Sequence, residues 1–140
     1  MLKVLVVDDK EMMRDSVATI LARKGYSTVA AASGKAALER MAKKRPDLVL
    51  TDLQMPGMSG LELLEAIRAI DEDVPVIIMT AYGSIENAVE AMRDGAYDYV
   101  TKPFSGDELT IAVARAIEHA SLRRENEVLR ASIGPATAPK

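Results

Sequence analysis

The sequence predicts a doubly wound α/β domain, with a parallel sheet of five strands covered on both faces by five helices. Three observations support this. Apolar runs of strand length alternate five times with segments of helical period, the pattern of right-handed βαβ crossovers. Runs such as Val4–Val7 and Val76–Met79 are apolar without interruption, as strands buried on both faces are. Four of the runs end on polar groups, namely Asp8–Asp9, Asp52, Thr80 and Lys102–Pro103. Open parallel sheets build their sites at that carboxyl edge.

Taken in order, residues 2–7 read as the first strand. A helix follows over 11–24, with Met13, Val17, Ile20 and Leu21 on one face and Gly25 at its end. Residues 27–32 make a weaker, Ala-rich strand that belongs near an edge of the sheet. The second helix, 35–44, turns Ala37, Leu38 and Met41 inward and closes before Pro46. The third strand, 48–51, leads through the loop Gln54–Gly60 to a helix over 61–70 with Leu61, Leu64, Ile67 and Ile70 inward. Pro75 opens the fourth strand, 76–79, where a proline is tolerated. Ser84 caps a helix over 84–94 that Gly95 ends. Residues 97–101 form a short fifth strand, and from Ser105 a helical pattern runs to about Arg130. Residues 134–140 read as a disordered tail.

The composition narrows the function classes. At 140 residues the chain fits one domain with a little left over, and its 49% hydrophobic content is enough for a core. With no Trp and one Phe, that core must be aliphatic. The net charge of −3 supplies no basic field, so direct nucleic-acid binding is not expected. The lack of cysteine excludes disulfides, thiolate metal sites and thiol catalysis. Asp8 and Asp9 interrupt the first apolar run too early for a signal peptide, and no stretch approaches the roughly 20 apolar residues of a membrane helix. A soluble, cytoplasmic protein without membrane contact is expected.

Each polar group on the rim has two readings. Asp8 with Glu11 makes a capping-box-like helix start. With Asp52 on the neighbouring strand, Asp8 and Asp9 also make a carboxylate cluster of the kind that Mg²⁺ prefers. Asp52 is either a turn residue before the Pro-Gly loop or a nucleophile on phosphorus. Lys102 suits a phosphate as a point charge. Thr80 is either an ordinary β-branched strand residue or a hydroxyl donor to a phosphoryl oxygen. The joint pattern favours the site reading throughout.

Over residues 2 to about 120, the stretches VLVVDD (4–9), TDLQMPGMSG (51–60), IIMTAYG (77–83) and YVTKPF (99–104) resemble the bacterial response-regulator receiver domain. The resemblance implies a flavodoxin-like strand order, 2-1-3-4-5, over a receiver unit spanning 1–120. Asp52 would be the phosphoacceptor, and Asp9, Asp52 and the Gln54 backbone carbonyl would hold Mg²⁺, with Mn²⁺ as a substitute. Asp8 would act mainly through water and charge, and Lys102 would pair with the phosphoryl group. Thr80 would sense that group and Tyr99 would be the switch aromatic, with Tyr97 and Ile85 on the face that changes. Gln54 and Tyr82 would tune the lifetime of the phosphorylated state, and the Lys102–Pro103 bond would be cis. The implied partner is a sensor histidine kinase.

The last helix carries a second pattern. Leu109, Val113, Ala116, Ile117 and Ala120 share one face, which should pack on the sheet. Leu122, Asn126, Leu129 and Ile133 follow a 4-3-4 spacing on another face, a short seam for a paired helix. Residues 121–140 therefore read as the start of a helical or coiled-coil linker plus the tail, with a solvated tail as the alternative. The stretch 80–104 and this linker resemble nitrogen-regulator-type, sigma-54-dependent activators. That implies absent ATPase and DNA-binding output domains and a homodimer through the last helix.

Three other readings compete. A phosphohydrolase of the haloacid-dehalogenase type needs an Asp two residues after its nucleophile, where this chain has Gln54. A flavodoxin needs a phosphate loop where this chain has Asp8–Glu11, and it needs aromatic flavin partners. The third reading is a stand-alone receiver adaptor without an output domain.

Overall fold

The computed structural model describes residues 2–81 and 85–133, and the side chains of all these except Ile85 and residues 124–133. Along the chain the elements are β1 (Lys3–Val7), α1 (Glu11–Arg23), β2 (Ser27–Ala31), α2 (Gly34–Lys43), β3 (Leu48–Asp52), α3 (Gly60–Ile70), β4 (Val76–Ala81), α4 (Ile85–Arg93), β5 (Asp98–Lys102) and α5 (Gly106–Ile133). All strand pairs are parallel, in the order β2-β1-β3-β4-β5, as expected. β2 occupies an edge, in keeping with its weaker apolar pattern.

Alternation along the strands divides the core in two. Leu5, Val7, Val49, Val76 and Ile78 face one way, under Met41 of α2, Leu63, Leu64 and Ile67 of α3, and Ala91 of α4. Val4, Val6, Leu48, Leu50, Ile77 and Met79 face the other way, under Val17 and Leu21 of α1 and Leu109, Val113 and Ala116 of α5. Both layers are aliphatic, as the composition requires.

Four local expectations change. The α1 start is not a capping box: Lys10 is the N-cap and makes no side-chain cap bond. The Asp8 carboxylate instead accepts the Lys10 N–H at 2.9 Å, which turns the chain out of β1 toward the rim. The capping box that does form is Ser59–Glu62 at the start of α3, with bonds of 3.2 and 3.1 Å. In α3, Leu63 is buried and Ile70 is 46% exposed, because the inward face runs through Leu63, Leu64 and Ile67. β5 starts at Asp98 rather than Tyr97. Tyr97 therefore packs on the α1–α5 layer and Tyr99 on the α2–α4 layer, so the two tyrosines lie on opposite sides.

Helix α5 continues 28 residues, about 42 Å at 1.5 Å per residue. Among the described side chains Ala120, 8% exposed, is its last buried residue; Leu122 is 54% exposed, and Arg123 still reaches Asp73 at 3.5 Å. The expected cap Ser84 and the side chains of Asn126, Leu129 and Ile133 lie outside the described residues, as does the 134–140 tail.

Candidate functional site

Strand register assembles the rim. Val7 of β1 pairs with Thr51 of β3, so Asp8 and Asp52 both stand one residue past that pair. Asp52 pairs with Met79, and Thr80 is the next residue of β4. Thr80 in turn pairs with Thr101, and Ala81 with Lys102. Four strand ends thus deliver their polar groups to one edge, as the sequence indicated.

Lys102 ties the groups together. Its ammonium donates to Asp8 Oδ2 at 3.2 Å and to Asp52 Oδ1 at 3.0 Å. Asp8 is fully buried and Asp52 nearly so. Asp8, Asp9 and Asp52 each bring a carboxylate oxygen within 4.8 Å of the others, with Asp9 exposed at the mouth. Three carboxylates against one ammonium leave a deficit of two charges, which one divalent cation balances. An all-oxygen donor set is the kind Mg²⁺ and Mn²⁺ take. The residues present fit such an ion.

The Asp52 carboxylate is asymmetric. Oδ1 also accepts the Leu53 N–H at 2.9 Å, while no donor among the described residues reaches Oδ2. Because no fully buried side-chain oxygen among those residues lacks a partner, Oδ2 keeps contact with solvent. Burial raises the Asp52 carboxyl above its ordinary value; the Lys102 hydrogen bond and charge oppose the rise, and the Asp8 charge adds to it. One oxygen is anchored and the other is presented.

Thr80 is fully buried, and among the described residues its hydroxyl makes one long bond, 3.5 Å to the Ala81 carbonyl. A hydroxyl so weakly held is free to change partners. Tyr99 is half-buried on the α2–α4 layer, and Gln54 is exposed just past Asp52. The Lys102–Pro103 bond is cis. Tyr82 lies outside the described residues.

Two supporting residues escaped the sequence reading. Arg14 Nη1 donates to the Asp8 carbonyl at 2.8 Å, bracing the β1–α1 loop from α1. Gly60, the first residue of α3, lies against the Asp52–Leu53 backbone: a Cβ there would overlap the Asp52 carbonyl oxygen and come within 2.8 Å of Leu53 Cα. Its N–H also donates to the Leu53 carbonyl at 2.7 Å. The sequence signal for Gly60 was its place after Ser59 in an S-x-x-E helix start.

Comparison with known proteins bears on this rim. Residues 4–114 match the family model of the response regulator receiver domain. The chain is 44% identical over 123 residues to Regulatory protein AtoC of Escherichia coli (strain K12), which covers 88% of this chain and 27% of that protein. It is 43% identical over 113 residues to Sporulation initiation phosphotransferase F of Bacillus subtilis (strain 168), covering 81% and 91% respectively. The crystal structure of NtrX from Brucella abortus in complex with ADP superposes with a TM-score of 0.90 at 40% identity, over 93% of this chain and 30% of that one. The receiver domain of the same NtrX gives 0.80 at 40% identity, over 82% and 98%. Against AtoC and two NtrX-type relatives the chain spans only 27%, 30% and 28% of their length. A family match across most of the chain, on a fold and rim of this geometry, carries one conclusion: the chain belongs to the response regulator receiver domain family.

Proposed function

We propose that Asp52 accepts a phosphoryl group from a phosphohistidine on a sensor histidine kinase and that the rim converts this into a change of the α4–β5–α5 face. The observation that carries the proposal is the asymmetric Asp52 carboxylate, with Oδ1 held by Lys102 and Leu53 and Oδ2 open to solvent. In the transfer, Oδ2 attacks phosphorus, the P–N bond breaks, and its electron pair returns to the imidazole nitrogen. Asp8, Asp9, Asp52 and the Gln54 backbone carbonyl would hold Mg²⁺ (Mn²⁺ in its place), which supplies charge neutralisation on the phosphoryl oxygens when bound. Lys102 exchanges its Asp52 contact for the phosphoryl group, and Thr80 leaves its long bond to Ala81 to do the same. Two charge-assisted hydrogen bonds of about 1.5–3 kcal/mol each are enough to shift a two-state equilibrium by roughly two to four orders of magnitude. Tyr99 follows Thr80, and Gln54 and Tyr82 set the lifetime. Gln54 carries no transferable proton, which favours a switch over a multiple-turnover hydrolase.

The relatives' greater length supports an output part beyond this domain, an ATPase and DNA-binding activator in our reading. Exposed Leu122 begins the seam Leu122–Asn126–Leu129–Ile133 through which α5 pairs with a second copy. No helix among the described residues is long and apolar enough to cross a membrane, in keeping with a cytoplasmic regulator. A second reading, a receiver adaptor without output domains, is favoured by the match over 91% of phosphotransferase F.

Beryllofluoride with Mg²⁺ tests the switch. Backbone NMR of the wild type is expected to shift at Asp52, Thr80, Tyr99 and along α4, and sedimentation is expected to move toward dimer. Asp52→Asn should do neither. Unchanged wild-type spectra contradict the proposal.

A further inference from the structure

A cavity lies away from the rim, under the C-terminal half of α2 at the β2 edge of the sheet. It has a volume of 130 Å³, an apolar floor of Leu5, Val29 and Pro46, and a rim of Lys3, Arg40, Lys43 and Lys44. That volume is near the size of a cavity that takes one benzene. No carboxylate among the described residues lines it. The nearby Asp47 is turned to the backbone, where its Oδ2 accepts the Lys3 N–H at 2.8 Å. Arg45 is likewise engaged elsewhere, with Asp71 at 3.1 Å.

Arg40 and Lys43 in the last turn of α2 complement the helix dipole, which accounts for some of this charge. It does not account for Lys3, which comes from β1 and lines the same cavity as Lys44. The Lys44 side chain lowers the Lys3 ammonium from its ordinary value, burial and the Lys44 charge act in the same direction, and Asp47 opposes them. Four cations from β1 and α2 around an apolar floor, with no carboxylate among the described lining residues, make a mouth that is complementary to an anionic group.

We propose that this cavity docks an acidic segment of a partner protein, with one apolar side chain of that segment seated on Leu5, Val29 and Pro46 and its carboxylates among Lys3, Arg40, Lys43 and Lys44. A protein segment fits better than a small molecule. The volume falls below the roughly 300 Å³ at which small-molecule pockets begin. Arg40, Lys43 and Lys44 are exposed and Lys3 is half-buried, as in the polar rim around an interface anchor. The site lies outside the phosphoacceptor rim, so the docking does not depend on the switch mechanism.

The probe is a capped peptide, Glu-Glu-Leu-Glu-Glu, titrated into the ¹⁵N-labelled protein at low salt and followed by NMR. Saturable shifts at Leu5, Val29 and the end of α2 are expected. The double variant Lys43→Glu/Lys44→Glu, altered at exposed positions only, should bind at least about tenfold more weakly, as rim charge reversal implies. The same peptide with Gly in place of Leu should weaken comparably, since it lacks the anchor. Three results overturn the proposal: no saturable shift, equal binding of the Gly peptide (general electrostatic attraction), or full displacement by millimolar inorganic phosphate (a small-anion site).

Discussion

Asp52 shows how a single residue is read differently in sequence and in structure. Its place after an apolar run was legible, because strand ends deliver polar groups to a known edge. Its asymmetric hydrogen bonding and the packing behind it were not, since both depend on neighbours distant in sequence. Burial raises its folded-state pKa, so the folded protein retains a proton at pH values where the unfolded chain has lost it. The native state binding more protons means that stability falls as pH rises through the window above the ordinary value of 3.8. Asp52→Asn is expected to flatten that decline in urea unfolding measured in chelator, and to be more stable than wild type at neutral pH. A variant with the same slope as wild type would contradict this account of the site. Gly60 gives a complementary expectation. Gly60→Ala places a methyl group against the Asp52–Leu53 backbone, and overpacking of this kind costs about 1–3 kcal/mol. It should also slow phosphoryl transfer, while Gly106→Ala, whose Cβ would meet only Ile20 at an ordinary 3.7 Å, should leave the Asp52–Leu53 backbone undisturbed.

At the level of elements, the order, type and approximate extent of all ten were legible, because each apolar run had a clear period. The failures were local. Three S/D-x-x-E patterns stand at helix starts: Ser59–Glu62 forms the full capping box, Ser105 accepts the Glu108 N–H at 3.1 Å, and the Asp8 side chain is consumed by the Lys10 N–H and by Lys102. β5 starts one residue later than expected, which leaves Tyr97 outside the alternation of the strand. Tyr97 sits against His119, with ring centroids 5.3 Å apart, while Tyr99 packs on the α2–α4 layer. Arg68 was not singled out, although it fastens α3 to two loops. Its guanidinium donates to the carbonyls of Asp71 (3.2 Å), Val74 (2.7 Å) and Gly95 (2.8 Å), joining the α3–β4 and α4–β5 turns. Nothing in the sequence pairs an exposed-face arginine with carbonyls up to 27 residues away. Arg68→Met keeps the aliphatic stem and removes these charged bonds, so it should lose about 2–4 kcal/mol in chemical denaturation. A loss below about 0.5 kcal/mol, typical of a surface change, would make the clamp incidental.

At the scale of the whole molecule, the sheet carries an acidic rim at one edge and its last helix continues beyond Ala120. The arrangement separates the chemistry from the surface that partners would read. Asp52, Thr80 and Lys102 sit on β3, β4 and β5, so a phosphoryl group at the first reaches the other two through adjacent strands. The central claim is that this rim takes up a phosphoryl group on Asp52. Intact-mass spectrometry after treatment with acetyl phosphate and Mg²⁺ tests it most directly. The account predicts a single phosphoryl adduct on the wild type that is lost on adding chelator before the donor and absent in Asp52→Asn. An unmodified wild type, or an equal adduct on Asp52→Asn, would contradict it.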